Sequence, residues 1–238
     1  MIFAVVFCTA SGHAAALDEA PLLTGTIYET SSGTNKILFT FRRTAARSNT
    51  TVQVVRDFIY PNGALAARES LVFEDGELRS FQLEEKQTGA RGSSSVTKDA
   101  KRKLHFDWMA DGKTKTDTET FVADTLVGDM LPHFIITHWN ELARGASVNF
   151  RFIVSSRLET VGFKLVKESE VDWRGKPSLR LRMEPSSFVI RQIVDPLYFI
   201  VEKDGAHRVL EYVGRITPKQ RDGAKWKDLD ARTVYDWP

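Results

Sequence analysis

The sequence predicts a mainly β protein, in which a strongly curved antiparallel sheet has a helical plug across its concave face. The first observation is a period of two among apolar residues between Ser147 and Ile216, as at Val148, Phe150 and Phe152. Successive side chains on a strand point to opposite faces, so such a run has one apolar and one polar face. That pattern is typical of antiparallel sheets with one buried face, whereas buried parallel strands are apolar throughout.

The second observation is a series of turn signals between the alternating runs. Asp75-Gly76, Asp111-Gly112 and Asp204-Gly205 each stand between two such runs, and Asn62-Gly63 and Arg174-Gly175 extend the series. Tight hairpin turns need positive φ angles, which Asp, Asn and Gly tolerate. The best explanation is a meander of hairpins.

The third observation is one segment that departs from the period of two. Asp124 is placed to cap a short helix, and Pro132 ends that helix or opens the next one. From Phe134 to Leu142 apolar residues repeat at helical spacing. We therefore expect a helical insertion near 124–143. Its apolar stripe needs a partner, and a curved single sheet cannot shield its own inner face.

Two other stretches allow local predictions. Gly89–Thr97 is rich in Gly and Ser and is expected to form a mobile hairpin end. The polar tail Pro218–Pro238 contains spaced aromatic residues. We expect this tail to lie on the body of the protein, with an edge strand from Ala231 to Asp236.

Residues 1–16 are typical of a cleaved secretory signal. An apolar run, Ile2–Ala10, is followed by the small-residue tract Ser11–Ala16. The run is shorter than the about 20 apolar residues that span a bilayer. No Lys or Arg precedes it, so we expect the true start to lie upstream; the alternative is a buried N-terminal strand. The prediction is a periplasmic or secreted protein with a single antiparallel β domain over residues 17–238.

The single cysteine, Cys8, lies inside the predicted signal. The processed chain is therefore expected to contain neither a disulfide nor a thiol nucleophile, and its core must supply its stability. Lipid attachment at Cys8 is the less favoured alternative, because bulky Phe7 stands where lipoprotein signals have a small residue.

Composition places the chain among ordinary globular proteins. It has 238 residues, of which 42% are hydrophobic and 27% charged, with a formal net charge of +2. Such a small charge does not favour a nucleic-acid partner. The short basic cluster at 98–103 is interpreted as a solvated hairpin end. No later segment of the sequence is apolar for long enough to predict a transmembrane helix.

No catalytic, metal-binding or cofactor motif stands out in the sequence. His133 and His138 are five residues apart, which places them roughly 140° apart around a helix. Two ligands on one helix face need a spacing of three or four. A Gly-x-Ser-x-Gly elbow and a glycine-rich phosphate loop are both absent from the sequence. We therefore predict a non-enzyme with no metal and no cofactor.

Apolar residues on the inward face of the predicted sheet are the candidate ligand-binding set. The simpler alternative is that they form a packed core under the helix. A curved sheet only partly covered by a helix would instead leave an apolar groove for a hydrophobic ligand. The candidate ligand-binding residues are Phe150, Phe152, Phe163, Leu165, Leu181, Met183, Phe188 and Phe199.

The order of these features resembles a known group of proteins. A signal, Asp-Gly hairpins, the segment from Asp129 to Gly145, and the alternating strands through Leu210–Gly214 resemble the LolA/LolB-like half-barrel proteins of the Gram-negative envelope. More narrowly, they are similar to an uncharacterised family of secreted bacterial proteins grouped with that fold. The resemblance covers roughly Thr24 to Thr217. It implies that lipids or acylated lipoproteins bind in the concavity under the helix, and it transfers no catalytic residue.

Three functions follow from these patterns. The leading hypothesis is non-catalytic binding of a hydrophobic ligand, a lipid or a lipoprotein acyl chain, in the concave face. The second is an envelope interaction or structural protein with a closed core. Such a protein would bind a partner through Gly89–Thr97 or through the Arg-rich outer face of Leu179–Met183. The third is a hydrolase of envelope polymers, since catalytic carboxylates leave little trace in a sequence.

Overall fold

The computed structural model describes residues 22–30, 36–192 and 195–238. The predicted signal at 1–16, including Cys8, lies outside the described residues. Within the described ranges the chain is mainly β, with a few short helices, which confirms the predicted fold class at that level. No helix in these ranges has the length and apolar character that a membrane span requires.

In the part of the chain that the structure describes, fifteen strands form one sheet. The strands of the N-terminal half are β1 Leu22–Glu29, β2 Ile37–Ser48, β3 Thr51–Ile59, β4 Leu65–Glu74, β5 Glu77–Glu85, β6 Arg91–Val96, β7 Lys103–Ala110 and β8 Lys113–Thr120. Those of the C-terminal half are β9 Thr125–Leu126, β10 Val148–Val154, β11 Glu159–Trp173, β12 Lys176–Pro185, β13 Leu197–Glu202, β14 Val209–Asp222 and β15 Lys225–Asp236.

The strand order is that of a meander whose first and last strands pair with each other. It runs β8 to β1 in reverse sequence order, then β15 down to β9. Neighbours are antiparallel, except that β9 pairs with β10 in parallel. The junction is the β1–β15 pair, in which Thr24 lies opposite Asp236 and Glu29 opposite Ala231.

Three of the five predicted hairpin signals, Asp75-Gly76, Asp111-Gly112 and Arg174-Gly175, form two-residue turns. Asp111 and Gly112 both have positive φ, at 50° and 70°, as the two-residue turn between β7 and β8 requires. Asp204-Gly205 behaves differently, because a longer loop at 203–208 joins β13 to β14. In that loop His207 adopts a φ of 53°.

Three of the local predictions were wrong. The C-terminal strand is not an edge strand, since β15 pairs with β1 on one side and β14 on the other. Gly89–Thr97 is not a loose hairpin end: it contains β6, whose Gly92 leaves room for the ring of Trp108 on the neighbouring strand. Asp124 begins no helix, because its carbonyl accepts a hydrogen bond from the Arg151 amide beside β9.

The helical segment is shorter than predicted and lies on the sheet. A 3-10 turn at Gly128–Met130 leads into α1, Leu131–Thr137, and α2, Trp139–Ala143. Proline in the first turn of α1 suits a position whose amide has no partner inside the helix. The buried residues of these helices join the inner faces of β10 to β13 in one hydrophobic cluster. A further short helix, α3, spans Phe188–Arg191.

The two outer strands of the sheet, β8 and β9, are not paired with each other. The β8 side chain of Glu119 instead accepts a hydrogen bond from the Thr160 amide of β11, at 3.3 Å. The turn at Ser155–Arg157 packs against β6 and β7. The sheet therefore curls until its ends meet through side chains, while the ladder of backbone hydrogen bonds stays open.

The β1–β15 junction is expected to be sensitive to volume at Gly25. A Cβ atom there would lie 2.7 Å from the backbone oxygen of Val234, which cannot move aside as a side chain would. We expect Gly25→Ala to lower the free energy of unfolding by about 1–3 kcal/mol, the usual range for overpacking. Urea denaturation followed by circular dichroism measures it.

The matched control is Gly162→Ala in β11, where the added Cβ would meet Ser186 at an ordinary 3.7 Å. Because Gly is unfavourable inside a strand, this variant should be as stable as the wild type or slightly more so. Equal stability of the two variants would contradict the close packing at the junction.

Candidate functional site

Most of the predicted ligand-binding residues are core residues in the structure. They belong to the cluster beneath the helices and are at most 8% exposed: Phe150, Phe163, Leu165, Leu181, Met183 and Phe199. Phe152 is partly buried against the same cluster. Phe188 does not face inward as predicted, because it lies on α3 and is 67% exposed.

Protein side chains occupy the space over these residues. The ring of Phe134 on α1 lies 5.2 Å from that of Phe150, and Ile135 and Leu142 are fully buried on the same side. A close-packed interior of this kind has no room for a further group. The helices therefore fill this part of the concave face.

A cavity of about 350 Å³ lies next to this core, on the other side of α1. Its walls come from α1 and the preceding 3-10 turn, from the loop at 203–208, from the C-terminal residues, and from β1, β2 and β3. The lining residues are Leu23, Phe41, Arg43, Arg56, Gly128, Asp129, Pro132, His133, Ile136, Ala206, Arg208, Val209, Tyr235, Trp237 and Pro238. None of the eight residues predicted from the sequence is among them.

A row of charged residues crosses three strands at the floor of this cavity. Arg43 on β2 lies directly opposite Arg56 on β3, and Arg56 lies opposite Glu69 on β4. Directly opposed residues on neighbouring strands point to the same face and interact. The Nη1 atom of Arg56 donates a hydrogen bond to Glu69 at 2.5 Å. The hydroxyl of Thr217 on β14 donates to the other oxygen of Glu69.

Asp129 completes this row from the helical segment. Its carboxylate accepts hydrogen bonds from Nε and Nη2 of Arg43, at 2.7 and 3.1 Å, and one of its oxygens lies 3.7 Å from Nε of Arg56. Gly128 precedes it, and a Cβ at that position would stand 2.7 Å from Nη1 of Arg56. The turn can approach the arginines so closely because this residue has no side chain.

The four residues form a balanced and buried ionic cluster, Arg43, Arg56, Glu69 and Asp129. Their side chains are no more than 11% exposed. Burial by itself lowers the pKa of Arg56, but the charges of Glu69 and Asp129 raise that pKa above its ordinary value, so the guanidinium stays charged. Ions can be buried in this way only when each has a partner at hydrogen-bonding distance.

An aromatic wall stands above the ionic cluster. The ring of Tyr235 meets Phe41 edge to face at 5.7 Å. Burial raises the pKa of the Tyr235 phenol, so this wall is uncharged at neutral pH. The indole nitrogen of Trp237 donates to the carbonyl of Val209 at 2.7 Å, and the guanidinium of Arg208 lies 5.5 Å from the centre of the Trp237 ring.

This arrangement is suited to holding a ligand. Ligand pockets typically have apolar and aromatic walls with a few fixed polar groups. The carboxylate of Asp129 is engaged by two arginines and is not placed as a free acid or base. Within residues 22–30, 36–192 and 195–238, His, Cys, Asp and Glu form no group of three that could hold a metal ion.

The apolar alternation did not indicate the cavity, because several residues in the buried phase of its strands are charged. Arg43 continues the inward phase of Phe39 and Phe41, and Arg56 continues that of Val52 and Val54. Glu69 similarly falls between inward residues of β4. Charged residues in the buried phase of three successive strands are a signal that the sequence does contain.

Comparisons with known proteins add little. No protein-family model and no curated protein matches the sequence. A solved structure, that of a porin-like protein from Bacteroides uniformis, aligns over 92% of this chain and 97% of that chain, with 9% identity and a TM-score of 0.24. A similarity this weak supports no argument about fold or function.

Removing the charge of Asp129 should destabilise the protein strongly. Asp129→Asn leaves the buried guanidinium of Arg43 facing a neutral amide. Breaking a buried ion pair from one side typically lowers the free energy of unfolding by about 3–5 kcal/mol. Urea denaturation of the variant measures the loss.

The control is Asp222→Asn, which removes the partner of Lys227 in an ion pair where both side chains are more than half exposed. Exposed pairs contribute little, so this variant should unfold like the wild type. If Asp129→Asn were equally harmless, the cluster would have no structural role.

Proposed function

We propose that this chain is a secreted, periplasmic protein that binds a small hydrophobic ligand without catalysing a reaction. The binding site is the cavity between α1 and strands β1 to β3. The concave face beneath the helices, which the sequence favoured, is instead part of the core. The observation on which this proposal depends is the cavity of about 350 Å³ with its apolar and aromatic wall.

The composition of the cavity supports a binding role. Apolar surface comes from Leu23, Phe41, Ile136 and Val209. The ring of Tyr235 forms a rigid aromatic part of the wall. The ionic cluster at the floor fixes the positions of the strands and of the turn before α1. Such a pre-formed site does not lose binding energy in ordering its own side chains.

The size of the cavity limits the ligand. Its volume is near the lower end of the range of about 300–1,000 Å³ that is usual for ligand pockets. A single acyl chain or a small ring system suits this space better than a lipid with two chains. Each buried methylene contributes about 0.8 kcal/mol, so a short chain is enough for specific binding.

We propose that the sheet is a half-barrel of the LolA/LolB-like type, in which α1 and α2 plug the concave face. The packing of both helices on the inner faces of β10 to β13 supports it. The secretory leader remains a proposal that depends on the apolar run in the sequence.

A second candidate function has some support. The interior under the helices is filled, as the hypothesis of an envelope interaction protein with a closed core requires. Phe188 and Val189 are also 67% and 69% exposed on α3. Exposed apolar residues of this size can contact a protein partner. This candidate predicts that the cavity binds no small apolar molecule.

The binding proposal is tested by filling the cavity. Ile136 lines it from α1, so Ile136→Trp introduces an indole into the space. The probe is N-phenylnaphthylamine, an uncharged dye that fluoresces in apolar sites. We expect the wild type to bind the dye, and the variant to bind it at least tenfold more weakly because the site is occupied.

The control is Asn140→Trp, which places the same ring on the exposed surface of α2. It should bind the dye like the wild type. Thermal unfolding of both variants establishes that they are folded. No saturable dye binding to the wild type, or equal binding by both variants, would reject the cavity as the site.

A further inference from the structure

Within the described residues, every arginine that lines the cavity has an ion-pair partner except one. Arg43 is paired with Asp129, and Arg56 is paired with Glu69. Arg208 also lines the cavity, yet in the described part of the chain it has no carboxylate within ion-pair distance and its side chain makes no hydrogen bond. Of the three arginines that line the cavity, Arg208 is therefore the one whose guanidinium has no carboxylate partner within the described ranges.

Arg208 is held in place by neighbours that leave its charge free. It ends the loop at 203–208, where the ring of His207 stacks on Trp139 of α2 at 3.9 Å. Its own guanidinium lies over the ring of Trp237, which is fixed in turn by its hydrogen bond to Val209. An arginine stacked on an aromatic ring still presents N–H donors at the edges of its plane.

We propose that the ligand of this cavity is a small amphipathic anion. It has a single apolar chain or ring system and ends in a carboxylate or a phosphate group that binds Arg208. This inference rests on the proposed function, since it specifies the ligand of the same site. The apolar part lies against Leu23, Phe41 and Ile136, and the acid group stays at the edge formed by Arg208 and Trp237.

Two physical arguments favour an anion over a neutral or cationic ligand. Guanidinium groups bind carboxylate and phosphate through two parallel hydrogen bonds, a geometry that an alcohol cannot offer. A cation would add a second positive charge to a half-buried site, where repulsion is screened less than in water. Among ligands with the same apolar chain, the charge of Arg208 therefore favours anions over neutral and cationic compounds.

The experiment compares ligands that differ only in their head group. Decanoate, decyl phosphate, decanol and decyltrimethylammonium compete with N-phenylnaphthylamine on the full chain, at neutral pH and below micelle-forming concentrations. We expect at least one of the two anions to bind at least tenfold more tightly than decanol, and the ammonium compound to be weakest. The carboxylate and phosphate arms identify which acid group is preferred.

Variants connect that preference to Arg208. In Arg208→Gln the advantage of the anion over decanol should disappear, because a charge-assisted hydrogen bond to arginine is worth about tenfold to a hundredfold in affinity. The control is Arg221→Gln, which removes the same charge from an arginine stacked on Trp226 at the exposed end of β14. It should keep the anion preference.

The outcomes separate the two proposals. If decanol displaces the dye as well as the anions do, the anion inference is overturned while hydrophobic binding stands. If the preference exists but Arg208→Gln retains it, the assignment to Arg208 is overturned. If the wild type shows no saturable binding of the dye, both proposals fail. The comparison of head groups on the wild type decides the inference even if the variant does not fold.

Discussion

The buried ionic cluster is the interaction on which the arrangement of helix and sheet depends. Two arginines and a glutamate lie side by side on β2, β3 and β4, and Asp129 reaches them from the turn before α1. An apolar contact tolerates sliding, because it has no preferred direction. The paired hydrogen bonds between Arg43 and Asp129 are directional and do not tolerate sliding. They therefore define where the helical segment meets the N-terminal half of the sheet.

A packed core and a cavity lie side by side at this anchor. The apolar side of α1 and α2 packs on β10 to β13 and leaves no space there. Just before α1 the contact with the sheet is ionic, through Asp129 and the two arginines on β2 and β3. The cavity beside this contact is lined by Phe41, Ile136 and Tyr235. Arg43, Arg56 and Asp129, which anchor the helical segment, are also among the residues that line this cavity.

The sequence was informative where structure depends on local patterns. Alternation and Asp-Gly pairs correctly predicted an antiparallel meander, and helical spacing located the segment that contains α1. The position of β15 in the middle of the sheet was missed, because its pairing with β1 joins residues about as far apart in the chain as the chain allows, and no local signal marks it. The cavity was missed because two of its polar residues, Arg43 and Arg56, occupy positions that alternation assigns to apolar groups. These side chains point inward, as the alternation predicts, but they are charged instead of apolar.

A double-mutant cycle between Arg43 and Asp129 measures how strongly this ion pair anchors the helical segment to the sheet. The variants are Arg43→Met, Asp129→Leu and the pair together, with the free energy of unfolding measured in urea. We predict that the two losses are far from additive, with a coupling energy of about 1–3 kcal/mol, the usual range for residues in one ionic network. The double variant should then be at least as stable as the less stable single variant, because it contains no unpaired charge at this position. Additive losses, with a coupling energy near zero, would show that this ion pair does not anchor the helical segment.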